Sequence, residues 1–413
     1  MGMLLIFLLL NQLTRPTSML PKRFVYPSPG FSEYWKEGAG KKMLEKLGSL
    51  PGKEEIEQSG ELFLEYDLIG DRVIKEVFDV MGFHKAHGLI EQALNHGIGA
   101  VINPPESLLQ LFAEADAIPG WLNEHLLKTG SEYCRRAGSF ALVVLRNYCL
   151  MGGYESSAIN KPLIYTEALK KGAAKRMAET VEFWVHVTGG NAMQRDAIGF
   201  KSAIQVRLMH AYARAAIQKT PGWSNDLWGA PINQGDMVAT NLGFSLVFME
   251  GLKRVGLSPT EEEIKGVLHL WKYIGYLLGI PPDLLPDTEI EAIESLYKWT
   301  MTQSAADEDT KALAHALMLE PMTASFPKYV WQKRVMIKLH LAYNYYFLGD
   351  RACGIMELPK TRIRYYPYVA GFLNGMFESI NPHWVSVRVG RKTQERIKTL
   401  FLMSHGHNLK SGS

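Results

Sequence analysis

The sequence predicts an all-α fold, and three observations carry that expectation. From about Asp71 onward, apolar residues recur at helical and not at alternating spacing. Runs of β-branched and aromatic residues of the kind that mark strands are nearly absent. The periodic segments are also separated by orthodox helix starts and stops. Asn103-Pro104-Pro105-Glu106 and Ser258-Pro259-Thr260-Glu261 read as starts, Gly189-Gly190-Asn191 as a stop, and Pro281-Pro282-Asp283 as the break after a helix.

Taken in order, residues 1–55 are rich in Pro, Gly, Lys and aromatics and read as an irregular arm wrapped on the domain. Helices are expected at 71–81, 84–96, 104–115, 121–150 with a break, 162–188, 196–218, 235–254, 260–278, 288–318, 326–347 and 371–402. No repeat of fixed period runs through them, which argues against a solenoid. The expected organisation is one helical domain over 56–405 and a polar tail over 406–413.

Composition narrows the function. Of 413 residues, 47% are hydrophobic and 21% charged, as in an ordinary globular protein, and the net charge of +3 is spread along the chain, so nucleic acid is not an expected partner. Cys134, Cys149 and Cys353 are too few and too far apart for a disulfide framework or a zinc knuckle, and they favour a reducing, cytoplasmic setting. No C-x-x-C-H motif occurs, so a haem would be held by ligation and packing alone. Residues 3–10 (MLLIFLLL) are too short to span a bilayer and lack signal-peptide flanks. Ile6 stands where a myristoylation signal after Gly2 wants Ser or Thr, and Met19 is an alternative start. Peripheral membrane contact stays open.

The most informative stretch is 171–217. On its second helix Ala203, Val206, Arg207, His210, Ala213, Arg214 and Ile217 share one face. A haem would account for the three polar members together: imidazole is a common ligand to haem iron, and guanidinium groups suit propionates. The same residues also fit a buried histidine hydrogen-bonded within a bundle, with both arginines reaching the surface. On the preceding helix Arg176, Glu179, Thr180 and Phe183 share a face. At 1.5 Å per residue, Thr180 and His210 lie about 12 and 16 Å from the hairpin end, so the two stripes could face opposite sides of one flat ligand. Alternatively, Lys175, Arg176 and Glu179 form ordinary ion pairs on a solvated face.

These residues carry a resemblance. R-x-x-x-T at Arg176 and Thr180, followed by R-L-x-H-A-x-x-R from Arg207 to Arg214, resembles the haem-binding core of the latex-clearing and mpaB-type oxygenases. Asp116-x-x-Pro119-x-Trp121, the stretch from Trp228 to Asp236, and Trp271-x-x-x-Gly275-x-x-Leu278-Gly279-Ile280 extend the likeness, in the same order, over about residues 100–285. The resemblance implies a globin-like helical core with additional helices and haem b on His210. It makes Arg207 and Arg214 propionate candidates and places Arg176, Glu179 and Thr180 on the oxygen-activating side. It further implies O2 as co-substrate and a small apolar alkene, such as an isoprenoid or lipid, as substrate. A haem-binding protein without turnover, for sensing, storage or electron transfer, is the alternative.

Two positions depart from the rubber-cleaving pattern. Glu179 stands where those proteins have a lysine able to cap the iron, and Asn160 where they have a catalytic glutamate; Glu155 and Glu167 are the nearest carboxylates. Other candidates offer less. His84-x-x-His87 lacks further ligands close by, and His405 and His407 lie in the polar tail. Asn233 and Asp236 read as a helix start, and Thr240 and Asn241 as polar core.

Overall fold

The computed structural model describes residues 20–166 and 173–403. Among them the fold is all-α, apart from one isolated antiparallel bridge between Phe24 and Gln303. The helices used below are α1 (Leu68–Val73), α2 (Glu106–Asp116), α3 (Glu124–Arg136), α4 (Ala173–Val187), α5 (Ile198–Gln218), α6 (Gln234–Leu242), α7 (Glu261–Leu277), α8 (Glu308–Thr323), α9 (Val330–Ile355), α10 (Tyr366–Ile380) and α11 (His383–Met403).

Side-chain caps set many of the starts. Asp67 and Asn123 accept from the backbone N–H three residues on, and Thr260 with Glu263 closes a capping box. Helix α7 begins with three glutamates and is buried along most of its length after Lys265, with Trp271 and Ile274 in the core and His269 and Lys272 also buried. It packs most extensively against α3, where the two backbones meet at Gly130 and Gly266. A Cβ built on Gly130 would lie 2.2 Å from the Gly266 carbonyl oxygen, so this crossing needs glycine. Phe244 stacks on Trp271 with ring centroids 4.7 Å apart.

Several expected helices are divided. The 288–318 segment breaks after Met301, where Thr302 and Gln303 are buried and Gln303 bridges to Arg23, before Asp307 caps α8. The 371–402 segment is split at Asn381-Pro382, because a proline disfavours helical geometry in the residue before it. The 162–188 segment is covered by the end of a helix over Ser157–Tyr165 and by α4, with 167–172 outside the described residues. Three helical stretches carry π-turns, at Ile74–Phe78, Leu145–Leu150 and Gly243–Val247.

The N-terminal arm is more ordered than expected. It contains short helices at Gly38–Leu44 and Lys53–Ser59. Its anchor is Arg23, whose guanidinium is buried and forks onto Asp236 at 2.6 and 2.7 Å. Trp35 adds a second tie, donating Nε1 to the Thr300 hydroxyl at 2.9 Å. The apolar run 3–10 and the tail histidines His405 and His407 lie outside the described residues.

Candidate haem site

Helices α4 and α5 form a hairpin closed by the loop 188–197, in which Asn191 adopts the left-handed conformation at φ 56°. Arg207, His210 and Arg214 sit three and four residues apart on α5, and the structure brings all three to one cleft. The cleft spans about 210 Å³ including space open to solvent, and its other walls include Asp67, Gln234, Met237, Leu278 and Gly279.

His210 is the distinctive group there. Its Nδ1 is buried and has no hydrogen-bond partner. Burial, reinforced by the nearby Arg214 charge, pushes its pKa down to about 4, so the ring is neutral near pH 7 with a nitrogen lone pair available. A buried polar atom without a partner is costly unless something else satisfies it. Among the described residues no group hydrogen-bonds this nitrogen.

The arginines are held by protein carboxylates and not left free for propionates. Arg207 forks onto Asp67 (Nε–Oδ2 2.7 Å, Nη2–Oδ1 2.8 Å) and places Nη1 2.7 Å from Glu114. Arg214 bonds Asp71 through Nε at 2.8 Å and the Ile232 carbonyl through Nη1 at 2.8 Å. Burial raises the Asp71 carboxyl pKa against the opposing pull of Arg214. These ties fasten α5 to α1, α2 and the turn before α6, and so fix where His210 stands. Gly279, at φ +86°, closes the pair from above: a Cβ there would lie 2.7 Å from both Arg207 Nε and Asp67 Oδ2. A propionate would have to compete with these carboxylates for either arginine.

Arg176 and Thr180 line a second cleft of about 370 Å³, walled by Leu150, Tyr154, Met177, Leu313 and Leu317. The two clefts share no lining residue, so the structure does not bring Arg176 and Thr180 into one cavity with His210. Thr180 Oγ1 donates to the Arg176 carbonyl one turn back. Glu179 does not join them. Its side chain is exposed, and its carboxylate lies 3.9 Å from Lys175 Nζ. Glu179 is one half of a surface i,i+4 pair and is not among the residues that line the second cleft.

The positions near the departed glutamate are structural too. Asn160 donates Nδ2 to the carbonyls of Tyr154 and Ser156, at 3.2 and 2.6 Å. Glu155 is gripped through both oxygens by Arg351. Glu167 lies outside the described residues. His84 and His87 are exposed beside Phe83, and among the described residues no group of three His, Cys, Asp or Glu is arranged for a metal ion. The three cysteines are free, and burial pushes the Cys134 and Cys353 thiols up to about 12.

Sequence reasoning missed the acidic partners. Asp67 and Asp71 stand one turn apart and match two arginines two turns apart, a signal visible in the sequence once the pairing is known. It also missed a buried polar cluster behind the second cleft. Arg146, in the π-turn, bonds Asn147 Oδ1, the Leu317 carbonyl and Glu320, while His340 Nδ1 lies 3.2 Å from Asn147 Oδ1. Burial and the Arg146 charge hold His340 well below its ordinary pKa.

Comparison with known proteins identifies the lineage. Residues 138–374 match the family of the ER-bound oxygenase mpaB/B'/Rubber oxygenase, catalytic domain. A rubber oxygenase of Streptomyces sp. (strain K30) is 23% identical over 227 residues, which cover 54% of this chain and 55% of that protein. The chain thus aligns with about half the length of that curated relative. The solved structure of latex clearing protein LCP in the closed state superposes with a TM-score of 0.64 at 20% identity, covering 81% of this chain and 91% of that one. It shares this helical fold. With the family match spanning more than half of its length, the chain belongs to the mpaB/rubber oxygenase family.

Proposed function

We propose that the protein is a haem b-dependent oxygenase that uses O2 to oxidise or cleave an apolar alkene, an isoprenoid or a lipid. The observation that carries this reading is His210, a neutral imidazole with a buried, unpartnered nitrogen in the cleft between α5, α1 and the end of α7. Its donor chemistry suits haem iron. When bound, haem supplies the capacity to activate O2, which no amino-acid side chain provides.

The chain's own residues would do the rest. Asp67, Glu114 and Asp71 hold Arg207 and Arg214, and through them the angle at which His210 is presented. Arg176 and Thr180 place a cation and a hydroxyl in the otherwise largely apolar second cleft, where they could hydrogen-bond oxygen atoms of a substrate or product. Among the described residues Arg176 has no carboxylate partner to neutralise it. Leu150, Met177, Leu313 and Leu317 exclude water and favour an apolar chain. Glu155 is bound to Arg351 and Asn160 cannot act as a base, so among the described residues no carboxylate lines this cleft. The same lack motivates the alternative of a haem protein without turnover.

The test begins with colour. The purified chain supplied with haem should show a Soret band that His210→Ala removes, while the fold survives by circular dichroism. Incubating the reduced holoprotein with O2 and a model isoprenoid or unsaturated lipid should then yield carbonyl or oxygenated products. A chain that takes up no haem overturns the reading. Stable haem and O2 binding with no product from either substrate class would favour the alternative.

A further inference from the structure

Helix α10 presents its residues inside out. Its inner side is glycine: a Cβ on Gly256 would lie 2.4 Å from the Gly371 oxygen and 2.8 Å from the Gly375 nitrogen. Asn374 adds a hydrogen bond of 2.9 Å to the Val255 carbonyl. With its small residues against the body, the helix turns its large ones to solvent. Tyr368, Phe372, Leu373, Met376, Phe377 and Ile380 are all exposed, Phe372 by 69% and Ile380 by 76%. Their spacing of three and four residues makes one continuous apolar stripe along the helix. Contiguous exposed apolar surface of this kind marks an interaction site.

The surroundings say what it meets. The helix has a single charged residue, Glu378, which is turned aside toward Arg136 at 3.9 Å. Directly before it stand Lys360, Arg362 and Arg364, all exposed and without an ion-pair partner among the described residues. Tyr365 and Tyr366 follow at this basic end, and Trp384 is exposed at the other. Cations beside an apolar stripe, bracketed by tyrosine and tryptophan, match the layers of an anionic bilayer surface. Fifteen residues make a helix of about 22 Å, shorter than the roughly 30 Å of hydrocarbon in a bilayer. No helix among the described residues is long and apolar enough to cross.

We propose that α10 is a membrane-docking helix: it lies in the plane of an anionic bilayer with its apolar stripe among the acyl chains and Lys360, Arg362 and Arg364 on the lipid phosphates. The proposal is independent of the haem reading, since α10 contributes no residue to either cleft.

The test is flotation of the full chain with vesicles of phosphatidylcholine alone and of phosphatidylcholine and phosphatidylserine in equal parts. The wild-type chain should float with the anionic vesicles and less so at high salt. Joint Phe372→Glu and Leu373→Glu should lower the partition coefficient by about tenfold or more. Joint Arg362→Glu and Arg364→Glu should lower it on anionic vesicles by at least about fivefold per cation lost. As a check that needs no disruptive change, Met376→Cys carrying an environment-sensitive dye should shift its emission to the blue when anionic vesicles are added. Absence of flotation, or flotation that neither double variant weakens (which assigns it to another segment, such as residues 3–10), would overturn the proposal. So would a dimer that the Phe372→Glu, Leu373→Glu chain loses while the wild-type dye stays unshifted, because the stripe would then be covered by a second copy.

Discussion

Asp67 does two jobs, and separating them tests how the site is held. One of its carboxylate oxygens caps α1 by accepting from Gly70 N at 3.1 Å, and both oxygens receive the Arg207 fork. The Arg207 side chain is 2% exposed and that of Asp67 9%, so the pair is desolvated; Glu114, the other partner, is 29% exposed. Removing one member of a buried pair costs about 3–5 kcal/mol, because the remaining charge stays buried. In Asp67→Ala the Glu114 contact offsets part of that cost, while the lost cap adds about 1 kcal/mol, so a net loss near 4 kcal/mol is expected. With an unfolding entropy of roughly 2.1 cal/mol/K per residue, a chain of this length should lose about 4–5 °C in Tm. Asp67→Asn keeps the cap and should recover about 1 kcal/mol of the loss. Glu114→Gln, at the wetter side, should cost only about 1 kcal/mol. Calorimetry of the three variants reads these differences directly. Asp67→Ala within about 1 °C of the parent would refute the idea that this pair fixes the histidine helix. Equal losses in Asp67→Ala and Asp67→Asn would refute the capping role.

Two further expectations follow from particular residues. Glu179→Gln should leave both Tm and turnover unchanged within error, about 0.5 kcal/mol at most, because an exposed pair at 3.9 Å contributes little; a loss of haem or of activity would return Glu179 to the cleft. For pH, His210 and His186 are both held down to about 4 and His340 well below its usual value, in each case chiefly by burial. The unfolded chain therefore binds more protons than the folded one below about pH 6.5, so stability is complete above that value and declines as pH falls toward 4. In the protein without haem, His210→Ala should reduce that slope by up to about 1.4 kcal/mol per pH unit, measured by denaturant titration between pH 6.5 and 4.5. An unchanged slope would mean that His210 is not neutral in the fold.

The sequence made the helices and the face of α5 legible for a physical reason. Arg207, His210 and Arg214 are close in the chain, and a 3.6-residue period alone decides that they share a side. The same period does not decide which side of α4 turns inward: Arg176 and Thr180 line the second cleft, while Glu179 pairs with Lys175 at the surface. Breaks such as the one at Thr302 were invisible because their cause is a partner 280 residues away. A pairing between distant segments such as Arg146 with Glu320 leaves no periodic trace, and the one-turn spacing of Asp67 and Asp71 is informative only once their arginine partners are known. The fold was thus readable where contacts are local. The occupation of both arginines by carboxylates was not.

The anchor at Arg23 bears on the order in which the chain is completed. Its partners Asp236 and Gln303 lie 213 and 280 positions downstream, and Phe24 bridges to Gln303 as well. At a synthesis rate of about 5–20 residues per second, the arm waits on the order of 15–60 s for the segments that receive it. During that interval Arg23 can reach Asp236 before it can reach Gln303, while the Phe24 bridge waits for Gln303 and Trp35 for Thr300. A segment made early is therefore completed late, by contacts that only the downstream helices supply.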